Sequence, residues 1–268
     1  MKPKNAGSKA LFINSAFAFA AAQLLTAAIH EAGHGLVAQS LGFSPRIYAF
    51  LEDNPTGTVQ QSLLILAAGP LTSLIVGALF LLWFRSGRAH YSYGRLLLFW
   101  LAWTGIMTFV NYLIVTPWLS AGDTAKFADL LHWPLWLRYA VAAIGAVVLV
   151  TLGRPAATAM FALAPQNCAL ETRRERGRYI VRGFYLPLFA GIVLTAPAGI
   201  GERPAIVALG LLASLGTIDI VVAALYASGA VTMQREYDAP LRIEPAAIAL
   251  YGALIVLYVF VFSRGMPI

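Results

Sequence analysis

Two histidines and a glutamate occupy neighbouring positions near the end of the first long apolar segment of the chain. Residues 30 to 34 read HEAGH, and the apolar run that contains them starts at Leu11. Residues four apart share one face of a helix, so His30 and His34 would point the same way and could hold one zinc ion. Glu31 between them can serve as a general base, and this spacing is typical of zinc metalloproteases. Ionisable groups at the margin of a membrane span favour a functional role. The motif therefore predicts a metalloprotease site in or near a bilayer.

The same five-residue pattern also arises by chance, because two of its positions are free. In these apolar, helical surroundings a chance copy would bury three polar side chains with nothing to satisfy them, which is unfavourable. We therefore favour the metal site over an idle motif.

A catalytic zinc ion usually has three protein ligands and one water, so a third ligand must come from elsewhere in the chain. Asp123 follows the third apolar segment, which would run in the same direction as the first and end at the same membrane face. Gly122 before it would let the backbone bend toward a metal. The alternative role of Asp123 is that of a helix N-cap. Asp219, which we place inside the sixth apolar segment, is the reserve ligand. The other two histidines, His90 and His132, are expected to be loop residues.

The elements that must position these residues are membrane helices. The chain has 268 residues, of which 59% are hydrophobic and only 12% are charged. A soluble domain carries about 25% charged residues, so the composition predicts an integral membrane protein. Long apolar runs separated by short basic loops indicate helices rather than a barrel. Seven segments are long enough, or nearly long enough, to span a bilayer: 11–38, 62–84, 96–118, 135–152, 183–200, 204–227 and 246–263. The predicted fold class is all-α, polytopic, with six to seven transmembrane helices.

The basic residues indicate an orientation. With seven spans and an internal N-terminus, 14 of the 19 lysines and arginines lie on the inner side, which favours a cytoplasmic N-terminus.

Lys2, Lys4 and Lys9 precede an apolar run like that of a signal peptide, but the run continues to Ile29 without a polar cleavage region, so we expect no cleavage. The net charge is +7, but the basic residues lie at the ends of the predicted helices, so the charge does not indicate nucleic-acid binding. The single cysteine, Cys168, excludes an internal disulfide and a cysteine-based zinc site.

Several features around the motif resemble the site-2 protease family of intramembrane zinc metalloproteases. After His34 the chain reads GLVAQSLGF, with an alanine and then a glycine at the offsets found in the family. The sequence AAGPL at residues 67–71 is similar to the Ala-Gly-Pro signature of the family's second core helix. The third apolar segment carries Asn111 and Pro117 before Asp123, as the family places its aspartate ligand after an Asn and a Pro.

The resemblance implies an architecture and a set of site residues. A three-helix catalytic core would occupy residues 1–133, with a short extended, β-like segment from Ile47 to Gln60 between its first two helices. Residues 134–268 would form accessory transmembrane helices. One Zn²⁺ ion would be held by the three metal ligands His30, His34 and Asp123. The family usually has Asn three residues after the Gly-Pro proline, and here that position holds Ser73.

The implied chemistry is peptide-bond hydrolysis by a zinc-activated water. Glu31 would take a proton during attack and pass it to the leaving amine. Asn111 is a candidate hydrogen-bond donor to the oxyanion, and its alternative role is a hydrogen bond between packed helices. The partners would be a membrane-spanning protein or peptide substrate and the lipid bilayer. The substrate must be locally extended, and the segment from Arg46 to Gln60 could offer it a sheet edge.

Three alternatives stay open at this point. The protein could be a noncatalytic relative that binds membrane proteins, although such a protein has no need of Glu31 as a base. It could be a metal-handling or transport protein, which should show more polar groups near the midplane. It could also be a zinc protease of another class with glutamate as the third ligand, but Glu171, Glu175 and Glu202 lie at helix ends or in loops and suit that role poorly.

Overall fold

Long apolar helices make up most of the protein in the computed structural model. The structure describes residues 6–48, 52–53, 57–87, 91–120, 122–164, 168, 170–200, 210, 214–230 and 241–267. The α-helices of this part of the chain are α1 (Ala6–Ser40), α2 (Val59–Ser86), α3 (Tyr93–Val115), α4 (Asp123–Leu130), α5 (Leu135–Ala162), α6 (Arg173–Ile180), α7 (Leu186–Thr195), α8 (Ile218–Ala227) and α9 (Pro245–Phe260). A π-helical turn (Val181–Tyr185) joins α6 to α7, and short 3₁₀ turns occupy Ala196–Gly199, Ser228–Ala230 and Phe262–Arg264.

Six helical segments in the described ranges are long and apolar enough to cross a membrane. They are Lys9–Ser40, Val59–Ser86, Tyr93–Val115, Leu135–Ala162, Arg173–Gly199 and Pro245–Arg264. The helical, membrane-type architecture predicted from composition is thereby confirmed at this level. The predicted sixth segment, 204–227, lies partly outside the described residues, and its described end forms the ten-residue helix α8.

Two segment boundaries differ from the prediction by about ten residues. Helix α5 does not stop at residue 152 but continues through Pro155 to Ala162. The close approach of Gly153 to the Ala223 carbonyl of α8 accompanies this extension, since a Cβ at Gly153 would lie 2.7 Å from that oxygen. The basic stretch 173–178, which precedes the predicted segment 183–200, forms helix α6, because Thr172 and Glu175 make a reciprocal capping box at its start.

Helix α1 lies at the centre of the packing. It contacts α2, α3, α7, α9 and the first strand. Its residues from Ala18 to Ala22 are completely buried, and small side chains there let neighbouring helices come close. Helices α7 and α9 thus pack directly against the helix that carries the histidine motif. The division into a core of residues 1–133 and accessory helices stays a prediction.

The second and third helices approach each other through glycines. A Cβ at Gly77 of α2 would lie 2.7 Å from the main-chain nitrogen of Ile106, and a Cβ at Gly105 of α3 would lie 2.8 Å from the main-chain carbonyl oxygen of Ser73. The two backbones can come this close only because both helices have a glycine, which has no side chain, at the point of contact. It places α2 and α3 side by side against α1, which fixes the frame of the histidine motif.

A small sheet lies beyond the end of α1. It contains β1 (Arg46–Ile47), β2 (Glu52–Asp53) and β3 (Met266–Pro267) in the order β2-β1-β3, and both pairings are antiparallel. The first two strands fall in the segment expected to be extended. The third was not predicted, because two residues at the end of an apolar segment carry no periodic pattern.

Large apolar side chains are exposed along the outward faces of α2 and α5. On α2 the exposed fraction reaches 62% at Leu82 and 64% at Trp83, and on α5 it reaches 74% at Val150. Such faces suit contact with lipid acyl chains, in agreement with the length and composition of these helices.

Candidate metal centre

The two histidines of the motif and Asp123 come together in one cluster. The Nε2 atom of His30 lies 2.9 Å from Oδ2 of Asp123, and the Nε2 atom of His34 lies 3.3 Å from the same oxygen. The two Nε2 atoms are 3.2 Å apart. Both histidines are buried, and Asp123 is mostly so. Within the described ranges, these three residues form the one group of three or more potential ligands that is close enough to hold a metal ion.

The spacing of the three atoms fits zinc. Zinc bonds of about 2.0–2.1 Å in a tetrahedral arrangement separate the ligand atoms by about 3.3 Å. The observed separations of 2.9, 3.2 and 3.3 Å are close to this value. Two imidazoles and one carboxylate are also a donor set that zinc accepts in catalytic sites, where a fourth position is left for water. The residues present therefore fit the ion that the motif implies.

Asp123 reaches the histidines because the chain turns sharply between α3 and α4. Gly122 has a φ of +108°, which a residue with a side chain rarely adopts. The hydroxyl of Thr124 donates to the Tyr112 carbonyl at 2.7 Å, and Thr116 donates to the same carbonyl at 2.6 Å. The N-cap position of α4 belongs to Gly122, and Asp123 is the first helical residue. The alternative role of Asp123 as a capping residue is therefore not realised.

The surroundings of Asp123 favour its ionised form. Burial alone raises the pKa of this carboxyl, but the hydrogen bonds with His30 and His34 outweigh burial and bring the pKa well below its usual range. Its position in the first turn of α4 adds the favourable field of a helix N-terminus. Asp123 is thus a carboxylate at neutral pH, which is the form that ligates a metal.

Hydrogen bonds to α2 orient both imidazole rings. Nδ1 of His34 lies 2.6 Å from the Ile65 carbonyl oxygen. A carbonyl only accepts, so Nδ1 carries a proton. Nε2 donates to the Asp123 carboxylate, and its lone pair becomes available to a metal when that proton leaves. Nδ1 of His30 lies 3.1 Å from the hydroxyl oxygen of Ser73. Such outer partners typically fix the tautomer and orientation of zinc-ligating histidines.

Glycines on both helices make room for this arrangement. A Cβ at Gly69 of α2 would lie 2.2 Å from Nε2 of His34, and a Cβ at Gly33 of α1 would lie 2.6 Å from the Thr72 hydroxyl. A larger residue at either position would displace the facing side chain or push α1 and α2 apart. The Gly-Pro sequence at residues 69–70 thus has a direct steric relation to the histidines.

Two neighbours of the cluster were not predicted as site residues. The ring of Tyr112 stacks on that of His30, with centroids 5.5 Å apart and planes 15° from parallel. The tyrosine also interacts with the Asp123 carboxylate. Ser73 was noted only as a difference from the family pattern. The rule that a ligating histidine needs a second polar partner would have drawn attention to Ser73, while nothing in the sequence distinguishes Tyr112 from other apolar-segment tyrosines.

Glu31 and Asn111 occupy different surroundings. Glu31 is partly buried and within electrostatic range of His30, His34 and Asp123. The Oδ1 atom of Asn111 is buried without a hydrogen-bond partner. Asn111 lies two helical turns after Thr104, whose hydroxyl is hydrogen-bonded to that of Thr26 on α1, so it shares the face of α3 that is directed at α1.

The remaining candidates lie away from this cluster. Asp219 is exposed in the first turn of α8, a helix that packs on α5, and it does not join the histidines. Its predicted position inside segment 204–227 stays a prediction, because residues 204–209 and 211–213 of that segment lie outside the described residues. His132 is exposed at the end of α4, with a φ of 51°. Glu175 caps α6, and His90 and Glu202 lie outside the described residues.

Comparison with protein-family models, with curated proteins and with solved structures gives no match for this chain.

Proposed function

We propose that this protein is an intramembrane zinc metalloprotease, similar to the site-2 protease family, that hydrolyses peptide bonds of membrane-spanning proteins. The observation that carries the proposal is the triangle of His30, His34 and Asp123 ligand atoms, whose sides of 2.9 to 3.3 Å match tetrahedral zinc. Glu31 beside the first ligand adds the general base that a purely structural zinc site does not need.

The roles of the protein residues follow from their positions. When bound by these three side chains, zinc supplies an acidified water and a Lewis acid for the scissile carbonyl. Glu31 accepts a proton from the attacking water and delivers it to the leaving amine nitrogen. The hydrogen bonds that the Nδ1 atoms of His30 and His34 make with the Ser73 hydroxyl and the Ile65 carbonyl keep both imidazoles in the ligating orientation.

We assign the amide group of Asn111 to the developing oxyanion. Its buried oxygen makes no hydrogen bond, so that atom does not hold two helices together. An amide N–H that is already in place when charge develops stabilises the transition state without reorganisation. Asn111 is therefore proposed as the donor that complements the metal at the carbonyl oxygen.

The extended form of the substrate is proposed to be held at the small sheet beyond α1. A helix conceals its carbonyls in internal hydrogen bonds, so a transmembrane substrate must unwind before it can be cut. Among the described strands, in the order β2-β1-β3, both sides of β1 are occupied, and the outer sides of β2 and β3 are the edges left for a further strand. Pairing with an edge strand would present the substrate in extended form.

We propose seven membrane crossings with a cytoplasmic N-terminus. Strand β3 follows α9 and pairs with β1, which follows α1, so the last helix ends at the same face as the first. An odd number of crossings must then separate the start of α1 from the end of α9. The six long helical segments together with the 204–227 region supply seven, and the distribution of basic residues favours a cytoplasmic N-terminus.

Cleavage of a transmembrane reporter tests the function. We expect the zinc-loaded protein in proteoliposomes to cut a single-span reporter peptide, and Glu31→Gln to lose this activity by about a hundredfold or more while retaining zinc. Glu171→Gln, a matched change at an exposed glutamate, should cut normally. Zinc binding without cleavage would favour a noncatalytic binding protein, and zinc movement across the vesicle membrane would favour transport.

A further inference from the structure

An apolar cavity of about 190 Å³ lies between α2, α3, α4 and α5. Its walls include Ala67 and Pro70 of α2, Leu113 of α3, Thr124 of α4 and Val141 of α5. Trp133, in the connection between α4 and α5, also lines the cavity. The cavity is thus built by the elements that surround the metal cluster, and by α5, which contributes nothing to that cluster.

The cavity wall comes within one residue of the metal centre at two points of the chain, although none of the three ligands lines it. Thr124 is the residue after Asp123, and Pro70 is the residue after Gly69, which lies against the ring of His34. A group bound in the cavity would therefore lie beside the metal ligands rather than in a separate part of the protein. A substrate whose scissile carbonyl approached the metal would have a neighbouring side chain within reach of this space.

The lining offers almost no polar group to an occupant. The two hydroxyls among the lining residues are those of Thr116 and Thr124, and both are already used. Each lies within hydrogen-bond distance of the Tyr112 carbonyl, and they lie 2.9 Å from each other. An apolar group would enter without leaving a buried polar atom unsatisfied, whereas a charged one would lose its hydration with no compensation.

The volume of the cavity limits the size of the group that it can hold. An engineered apolar cavity of about 150 Å³ holds one benzene molecule. Pockets for drug-sized ligands measure roughly 300–1,000 Å³, so a space of about 190 Å³ takes one large side chain rather than a whole lipid chain.

We propose that this cavity is a specificity pocket that receives a large apolar side chain, such as Leu or Phe, from a substrate residue adjoining the scissile bond. This inference rests on the proposed protease function. It makes Ala67 and Leu113 specificity-determining residues, because Ala67 lines the space from α2 and Leu113 lines it from α3.

The test uses the full-length, zinc-loaded protein and reporter peptides that differ at one position. The cut site is mapped by mass spectrometry, and the residues on both sides of it are changed in turn to Ala, Leu and Phe. At one of these two positions, Leu or Phe should be preferred over Ala by about tenfold or more in kcat/KM. Ala67→Leu should reduce that preference to about twofold by filling the space, and Leu113→Ala should shift it toward Phe by enlarging the space.

Ala78→Leu is the matched control for the filling change. Residue 78 lies three turns further along α2 on the same side as Ala67, and it does not line the cavity. It should leave the preference unchanged, while zinc content and melting temperature show that each variant is folded.

The outcomes separate this inference from the proposed function. Cleavage with equal rates for Ala, Leu and Phe at both positions, or with a preference that Ala67→Leu and Leu113→Ala leave intact, overturns the pocket while the protease function stands. Absence of cleavage by the zinc-loaded native protein overturns the protease function and the pocket with it.

Discussion

Nδ1 of His34 on α1 lies 2.6 Å from the backbone carbonyl oxygen of Ile65 on α2. The partner is a main-chain group, so no side-chain substitution at Ile65 removes it directly. The contact depends instead on how closely α2 docks against α1, and Gly69, one turn further along α2, sets that distance. The geometry of the metal centre is therefore governed by helix packing as much as by the ligands themselves.

Gly69→Ala should disturb the metal centre without changing a ligand. The added Cβ would lie 2.2 Å from Nε2 of His34, so the ring or the helix must move. Overpacking of this kind costs about 1–3 kcal/mol, and displacement of His34 should lower zinc affinity. The measurements are zinc content after dialysis against a weak chelator and the melting temperature in detergent.

Gly252→Ala is the matched control for this substitution. Gly252 lies within α9, and a Cβ added there would have no neighbour within 4 Å among the described residues. An alanine there should be neutral or stabilising by up to about 1 kcal/mol, because alanine favours the helix. Equal zinc content in the two variants would contradict the steric role of Gly69.

Ser73→Ala should weaken zinc binding while leaving the three ligands in place. The hydroxyl of Ser73 is 3.1 Å from Nδ1 of His30, and Ser73 is almost completely buried. Loss of such an outer partner typically costs about 10-fold to 100-fold in metal affinity. Competition with a fluorescent zinc chelator gives the dissociation constant. Ser86→Ala, which removes an exposed hydroxyl on the same helix, should bind zinc as the native protein does. An unchanged constant for Ser73→Ala would remove Ser73 from the centre.

Zinc content should distinguish the two aspartates considered as third ligand. The native protein is expected to hold about one zinc ion per chain. Asp123→Ala should lose most of it, because two imidazoles alone leave the ion undercoordinated. Asp219→Ala should retain it, since Asp219 is exposed on α8. Loss of zinc only in Asp219→Ala would mean that the carboxylate of Asp123 is not the ligand.

How much of the fold and of the metal centre can be predicted from the sequence depends on how far apart in the chain the residues involved are. The arrangement of the two histidines and Glu31 is encoded locally, because helical periodicity alone places residues four apart on one face. Asp123 required an argument about membrane faces, and the structure does bring its carboxylate to the histidines. These assignments needed only the direction of three helices.

Contacts between distant segments could not be predicted from the sequence. The pairing of β3 with β1 joins residues more than two hundred positions apart through two residues on each strand, too few to show a periodic pattern. The stacking of Tyr112 on His30 depends on the rotation of α3 against α1, and α3 is also held against α2 by the close contact of Gly77 with Gly105. Several helices set these relations jointly, so no single segment encodes them.

Cysteine labelling should establish which ends of the helices share a membrane face. The chain has one cysteine, so Cys168→Ser gives a background for single-cysteine variants. Ser44→Cys and Pro267→Cys lie at exposed positions beside β1 and in β3, and Ser86→Cys is exposed at the end of α2. In intact cells a membrane-impermeant maleimide should label the first two and reach the third only after permeabilisation, because α2 returns the chain to the inner face.

The labelling pattern separates the two parts of the topology proposal. Ser44→Cys and Pro267→Cys must behave alike, because the antiparallel pairing of β1 with β3 holds both segments at one face. Opposite labelling of these two variants would contradict that pairing and the odd number of crossings. If both are protected while Ser86→Cys is labelled, the crossings stand, but the N-terminus is external and the metal centre belongs to the cytoplasmic side. The histidines lie in the half of α1 that leads to β1, so the face that labels Ser44→Cys is also the face nearer to the site of cleavage.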